Sequence, residues 1–188
     1  MKACEALVIG GSAGSLDVLL KVLPELNPEL SFPVIIVLHR KSGKDSILTD
    51  LLSAKTQLPV KEIEEKETIR PTTVYIAPPN YHVLIENNRT FSLDASEKVN
   101  FSRPSIDVVF ESAAQVYRKN LVCLLLSGAN NDGTSGLQKV KQKEGTVIVQ
   151  KPTSAAVSFM PEYAIEHVET DAILDTEEMA SYINNLNT

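Results

Sequence analysis

The sequence has no tryptophan, and aromatic residues make up only 5% of its 188 positions. A carbohydrate-stacking platform or an aromatic surface for unstacked bases is therefore not expected. Basic residues are in the minority. With 18 Lys and Arg against 24 Asp and Glu the net charge is −6, so the footprint of a nucleic-acid binder is missing as well. Residues 33–38 and 121–126 are apolar runs of six, far below the roughly 18–20 residues of a membrane span. The apolar segment near the N-terminus is shorter than the core of a secretory signal, about 7–15 residues, which predicts a cytoplasmic protein with no insertion into the bilayer. Only two cysteines occur, Cys4 and Cys123, each in or beside an apolar run, and they read as buried, reduced thiols. Without a Cys-x-x-Cys pair or paired histidines, neither a disulfide framework nor a metal site is indicated, and no cofactor is expected.

What is present describes an ordinary globular chain, 43% hydrophobic and 22% charged. No repeat or linker interrupts it, so residues 1–188 are expected to form one domain. Residues 6–9 read as a short strand, followed by Gly10-Gly11-Ser12-Ala13-Gly14 and a helix carrying Leu16, Leu19, Leu20 and Leu23 until Pro24 and Pro28 stop it. Residues 34–38 are apolar on both faces, as in a parallel strand covered by helices on both sides. A second helix is expected over 46–52. In the middle, residues 74–77, 82–85 and 90–93 are short runs separated by Pro78-Pro79-Asn80 and Asn87-Asn88, which predicts antiparallel hairpins. Alternation then resumes, with a helix opened by Pro104, a strand over 121–126, a helix over 133–143 and a strand over 146–149. Helices over 161–166 and 177–185 close the chain. The whole predicts an α/β fold: a doubly wound, mostly parallel sheet in a Rossmann-like three-layer arrangement, with an antiparallel hairpin insertion.

In such sheets ligands bind beyond the carboxyl ends of the strands. Three reactive side chains fall there: Ser12 after the first strand, His39 after the second, and Asp132 after the strand over 121–126. Each has a plainer reading, Ser12 as a helix cap, His39 as a solvated strand end, and Asp132 as part of a turn and cap. Together they are the residue types of a nucleophile, a general base and an orienting acid. Gly10-Gly11-Ser12-Ala13-Gly14 also fits G-x-S-x-G between a strand and a helix, a turn that lifts the hydroxyl above the sheet toward free helix amides. The order Ser, His, Asp differs from the Ser, acid, His of α/β-hydrolases. A dinucleotide fingerprint fails because Ser12 and Ser15 stand where glycines are needed, and no Walker A sequence occurs.

These stretches resemble the catalytic domain of the chemotaxis protein-glutamate methylesterases (CheB-type). The resemblance is carried by Ile9-Gly10-Gly11-Ser12-Ala13-Gly14, Val37-Leu38-His39-Arg40, Tyr75-Ile76-Ala77-Pro78 with His82, Arg103-Pro104-Ser105-Ile106-Asp107, and Ser127-Gly128-Ala129-Asn130-Asn131-Asp132-Gly133. It implies Ser12 as nucleophile, His39 as its base and Asp132 as the acid that orients the imidazole, with the backbone amides of Ala129 and Ala13 as oxyanion hole. The implied reaction is hydrolysis of γ-glutamyl methyl esters on the cytoplasmic helices of methylated chemoreceptors, releasing methanol, with deamidation of glutamine in some members. Arg103 and His82 match recurring family positions without an assigned step, and His82 also reads as a hairpin surface or packing residue. An esterase of the same chemistry acting on another protein or a small ester stays open, as does a non-catalytic binding module.

The chain departs from the family pattern at Ala13, at Ala129 and after His39. Ala13 stands in place of Thr, Ala129 in place of Met, and Arg40-Lys41 follow His39 where an apolar-and-proline continuation is commoner. The alanines retain the backbone N–H an oxyanion hole uses but remove bulk from the cleft, and Arg40-Lys41 make its rim more basic. Family members commonly carry a receiver domain of about 120 residues in front of the catalytic one. Since Ser12 comes so early, the expectation is a catalytic domain not regulated by phosphorylation of its own chain.

Overall fold

The computed structural model describes residues 3–40 and 45–187. Lys41 lies outside them. Seven strands form one parallel sheet: β1 (Ala6–Gly11), β2 (Val34–Leu38), β3 (Val60–Glu62), β4 (Val74–Ile76), β7 (Leu121–Leu125), β8 (Thr146–Gln150) and β9 (Ala172–Leu174), in the order β3-β4-β2-β1-β7-β8-β9. Every neighbouring pair is parallel. β5 (His82–Ile85) and β6 (Phe91–Asp94) pair as a separate antiparallel hairpin. The helices are α1 (Ser15–Val22), α2 (Asp45–Ser53), α3 (Ile106–Tyr117), α4 (Thr134–Gln142), α5 (Phe159–His167) and α6 (Thr176–Asn184). Among the described residues no helix is long and apolar enough to cross a membrane.

Strand alternation divides the core in two. Along β1, Ala6 and Val8 join one apolar cluster with Ile106, Phe110 and Leu137 from α3 and α4, while Leu7 and Ile9 join the other with Leu19 and Ile183 from α1 and α6. All six residues of β1 are buried, which is what a run apolar on both faces requires. Each buried Leu or Ile contributes about 1.5–3 kcal/mol relative to exposure. Cys4 and Cys123 are buried and unpaired, and burial pushes the Cys4 thiol up to about 12 and Cys123 well above its ordinary value.

The doubly wound sheet and its hairpin insertion agree with the sequence. One part of the middle does not. Residues 74–77 were expected in a hairpin, but Val74, Tyr75 and Ile76 are fully buried and pair in parallel with β2 on one side and β3 on the other. Tyr75 enters one cluster while Val74 and Ile76 enter the other, so this short run behaves as a sheet-interior strand. Pro78-Pro79-Asn80 turns the chain from the sheet into the hairpin rather than reversing a strand. β3 and β9 have three residues each at the sheet edges, too few to carry a readable period.

α3 and α4 pack unusually close at Gly136. A Cβ there would lie 2.6 Å from Phe110 Cβ and 3.1 Å from the backbone of Asp107. These are main-chain or near-main-chain atoms that cannot swing away. Gly136→Ala is expected to destabilise the protein by about 1–3 kcal/mol despite the better helix propensity of alanine, as measured by urea unfolding.

Candidate active site

The chain leaves β1 toward β2 on one side and reaches β7 on the other, so strand order reverses beside β1. A crevice beyond the carboxyl ends at such a point is where open α/β sheets bind ligands. Register brings the three ends level, with Gly11 opposite Leu38 and Gly10 opposite Leu125. Ser12, His39 and the segment leading to Asp132 therefore emerge side by side.

Ser12 sits on a polar chain beneath its turn. Its N–H donates to the Ser127 carbonyl at 2.9 Å and to Ser15 Oγ at 3.1 Å, and Ser15 Oγ donates to the same carbonyl at 2.7 Å. The Ser127 N–H donates to Gln150 Oε1 at 2.9 Å, and its hydroxyl to the Ala13 carbonyl at 2.7 Å. Ser15, Ser127 and Gln150 are fully buried, so each bond works in a low-dielectric setting where a lost partner is expensive. Gly14 closes the turn at φ 83°, and a Cβ there would meet Ala156 Cβ at 2.6 Å. Only glycine fits both conditions. Gly14 is also the N-cap of α1, and no side chain caps that helix, so Ser12 is not a capping residue.

His39 is tied by its backbone N–H to the Gly11 carbonyl at 3.2 Å, and its Nε2 lies 2.7 Å from Asp132 Oδ2. Asp132 has no exposed surface. Oδ2 also accepts the Ile106 N–H at 2.7 Å, while Oδ1 accepts from Asp107 N–H at 3.1 Å, Ser105 Oγ at 2.9 Å and Asn100 Nδ2 at 3.0 Å. Ile106 and Asp107 open α3, so the positive end of that helix faces the carboxylate. Burial acts to raise the Asp132 pKa; the hydrogen bonds from His39, Ile106, Asn100 and Asp107 outweigh it and hold the carboxyl below its ordinary value. An ionised acceptor at Oδ2 requires the proton on His39 Nε2, which leaves the lone pair on Nδ1.

Asp132 was also readable as a cap for the helix that follows it. Instead the N-terminus of α4 is met by Asp107, whose Oδ1 accepts the N–H of Gly133 at 3.0 Å and of Gly136 at 2.6 Å. The two helices thus exchange carboxylates. Asn100 Nδ2 bridges the pair, donating to Asp107 Oδ2 at 2.7 Å as well as to Asp132. Burial pushes the Asp107 carboxyl up to about 6 against the Gly136 amide, and the charge of Asp132 adds to the rise.

His82 is buried, so it is not a surface residue of the hairpin. Its Nδ1 accepts the Ser105 N–H at 3.2 Å and its Nε2 lies 2.8 Å from the Glu97 carbonyl, which fixes the residue before α3. Arg103 donates through Nη1 to the carbonyls of Ala95 and Ser96 at 2.8 and 2.7 Å. The amides of Ala13 and Ala129 donate to no group among the described residues. A Cβ on Gly128 would stand 3.0 Å from Ser12 Cβ, so the segment bearing Ala129 lies against Ser12. Above these residues opens a cleft of about 610 Å³, whose walls include Ser12, His39, Arg40, Lys98 and Arg103.

Several members of the site were not singled out from the sequence. Ser105, Asp107 and Ser127 lie inside the stretches that carry the family resemblance. Asn100 and Gln150 carry no sequence signal, because their bonds to Asp132 and Ser127 span 32 and 23 positions.

The chain is similar to known proteins along most of its length. The sequence profile of a family described as CheB methylesterase matches residues 7–183. A Leptospira interrogans protein whose name proposes protein-glutamate methylesterase and protein-glutamine glutaminase activity is 45% identical over 176 residues, 94% of this chain and 91% of that protein. The protein-glutamate methylesterase/protein-glutamine glutaminase of Thermotoga maritima is 35% identical over 171 residues, 89% of this chain. Its Clostridium acetobutylicum namesake is 30% identical over 179 residues, 95% of this chain. The chain spans about half the length of these two, 50% and 52%. The crystal structure of the Thermotoga maritima CheB methylesterase catalytic domain superposes with a TM-score of 0.93 at 33% identity, covering 98% of this chain and 99% of that one.

The raised Asp107 carboxyl has a measurable consequence. Between about pH 4 and pH 6 the native state keeps a proton that the unfolded chain has released, so this group makes stability fall as pH rises. Removing the titration with Asp107→Asn should remove that slope. Relative to the variant, the wild type is expected to lose on the order of 2 kcal/mol of unfolding free energy between pH 4 and 6.5. Parallel profiles in urea titrations at several pH values would contradict it.

Proposed function

The chain belongs to the CheB methylesterase family, and we propose that Ser12, His39 and Asp132 hydrolyse γ-glutamyl methyl esters on the cytoplasmic helices of methylated chemoreceptors. The observation that carries this reading is the buried Asp132 paired at 2.7 Å with His39, which shares one cleft with Ser12. Asp132 orients the imidazole and stabilises the imidazolium that forms during the reaction. His39 Nδ1 takes the proton of Ser12 Oγ as the oxygen attacks the ester carbonyl. The amides of Ala13 and Ala129 receive the developing oxyanion. Collapse of the tetrahedral intermediate expels the methoxy group, which leaves as methanol with the proton from His39. Water then attacks the acyl-enzyme, again through His39, and frees glutamate and Ser12. Applied to a glutamine side chain the same sequence releases ammonia, the second activity in the names of the relatives.

Charge fits an acidic partner. The chain has a net charge of −6, yet the cleft wall carries Arg40, Lys98 and Arg103. Arg40 donates to the Ala77 carbonyl at 3.1 Å and stands 4.0 Å from Glu62, so it is held at the rim rather than extended into solvent. Local basicity of this kind speeds encounter with a helical surface rich in glutamates. Such a substrate places the enzyme in the cytoplasm, where those helices lie.

Ser12→Ala should lower methanol release from methylated receptor membranes by at least about 10³-fold, while the fold is retained. Release at the wild-type rate would overturn the assignment of the triad. Asp132→Asn is expected to lose activity on a similar scale and also to lower the thermal midpoint, since α3 loses its carboxylate.

A further inference from the structure

One aromatic side chain at the mouth of the cleft occupies an unfavourable place on two counts. Val99 and Ser102 exchange backbone hydrogen bonds, Val99 N–H to Ser102 O at 3.1 Å and Ser102 N–H to Val99 O at 2.9 Å. The two residues between them, Asn100 and Phe101, have φ of 51° and 62°. Positive φ at both central positions is the signature of a type I′ turn, for which Asn-Gly is the favoured pair. Asparagine tolerates that conformation. An aromatic residue there is an outlier, and such strain persists where the surrounding structure enforces it, often at functional sites. Phe101 is also 96% exposed, so no packing within the chain compensates. It lines the same cleft as Ser12 and His39.

The turn is anchored rather than loose. Asn100 points inward and bridges Asp107 and Asp132, so the residue that holds the buried carboxylates also aims its neighbour outward over the cleft. We propose that Phe101 is a specificity-determining residue that packs on the apolar ridge of the substrate helix while a methylated glutamate of that helix reaches Ser12. This inference rests on the receptor reading above. A glutamyl side chain is short, so the helix that bears it must come down onto the cleft mouth. Residues three and four positions from the ester then lie beside it on the same helix face. Esterification makes that face less polar, which suits an aromatic lip, while flanking free carboxylates meet Lys98 and Arg103 on the cleft wall.

The test compares two substrates in the wild type and in Phe101→Gly, a replacement the turn prefers. Methanol release from methylated receptor membranes is measured beside turnover of p-nitrophenyl acetate, which has no helix to contact. The ratio of the two kcat/KM values is expected to fall about tenfold or more in Phe101→Gly, carried mainly by KM for the receptor. Phe101→Leu should recover part of it. The thermal midpoint should not fall, because glycine relieves the positive φ. An unchanged ratio in Phe101→Gly overturns the role of Phe101 and leaves the triad intact. Wild-type protein that turns over p-nitrophenyl acetate but releases no methanol from the membranes overturns the receptor reading and the lip with it.

Discussion

Two carboxylates exchanged between two helix N-termini hold the crevice together. Asp132 belongs to the segment that leads into α4, yet its oxygens accept the first amides of α3. Asp107 belongs to the first turn of α3, yet it accepts the amides of α4. Neither charge could be left in this interior alone, because a buried ionised carboxylate without donors is strongly disfavoured. The helix ends supply those donors, and the close passage at Gly136 is what lets each helix reach the other's anchor. The two carboxyls do not share their surroundings equally. Asp132 receives the larger set of donors and keeps its charge beside His39, while burial and that charge raise Asp107.

The rest of the site follows from this anchorage and from sheet register. His39 is pinned at two points, its backbone to Gly11 and its ring to Asp132. Ser12 is pinned from the opposite side through Ser127, Ser15 and Gln150. The two supports share no hydrogen bond, and they approach from β8 on one side and α3 on the other. Preorganisation of this kind lets a reaction proceed without rearranging dipoles at the moment charge develops. His82 serves the same end by fixing Ser105 at the start of α3.

Much of this architecture was legible because its signals are local. The run Val34–Leu38 announces a strand covered on both faces, and Gly10-Gly11-Ser12-Ala13-Gly14 announces a turn between strand and helix. Strand ends then locate Ser12, His39 and Asp132 without knowledge of tertiary structure. What was not legible depends on partners distant in sequence. Asn100 lies 32 positions from Asp132, and the Ser127–Gln150 bond spans 23 positions. No periodicity reports such bonds. Residues 74–77 misled for a related reason. Pro78-Pro79-Asn80 turns the chain either way, and whether Val74–Ile76 reverses or joins a sheet is decided by β2 and β3 beside it.

The site is drawn from the ends of three parallel strands and the start of a helix that precedes the last of them. Parallel pairing between distant segments is slow, since loop closure must be met before the contacts reward it. A chain that has made β1 and β2 but has not yet docked α3 would hold Ser12 and His39 without the buried carboxylate that pairs with the imidazole. Hydrolytic competence is therefore a property of the finished molecule alone.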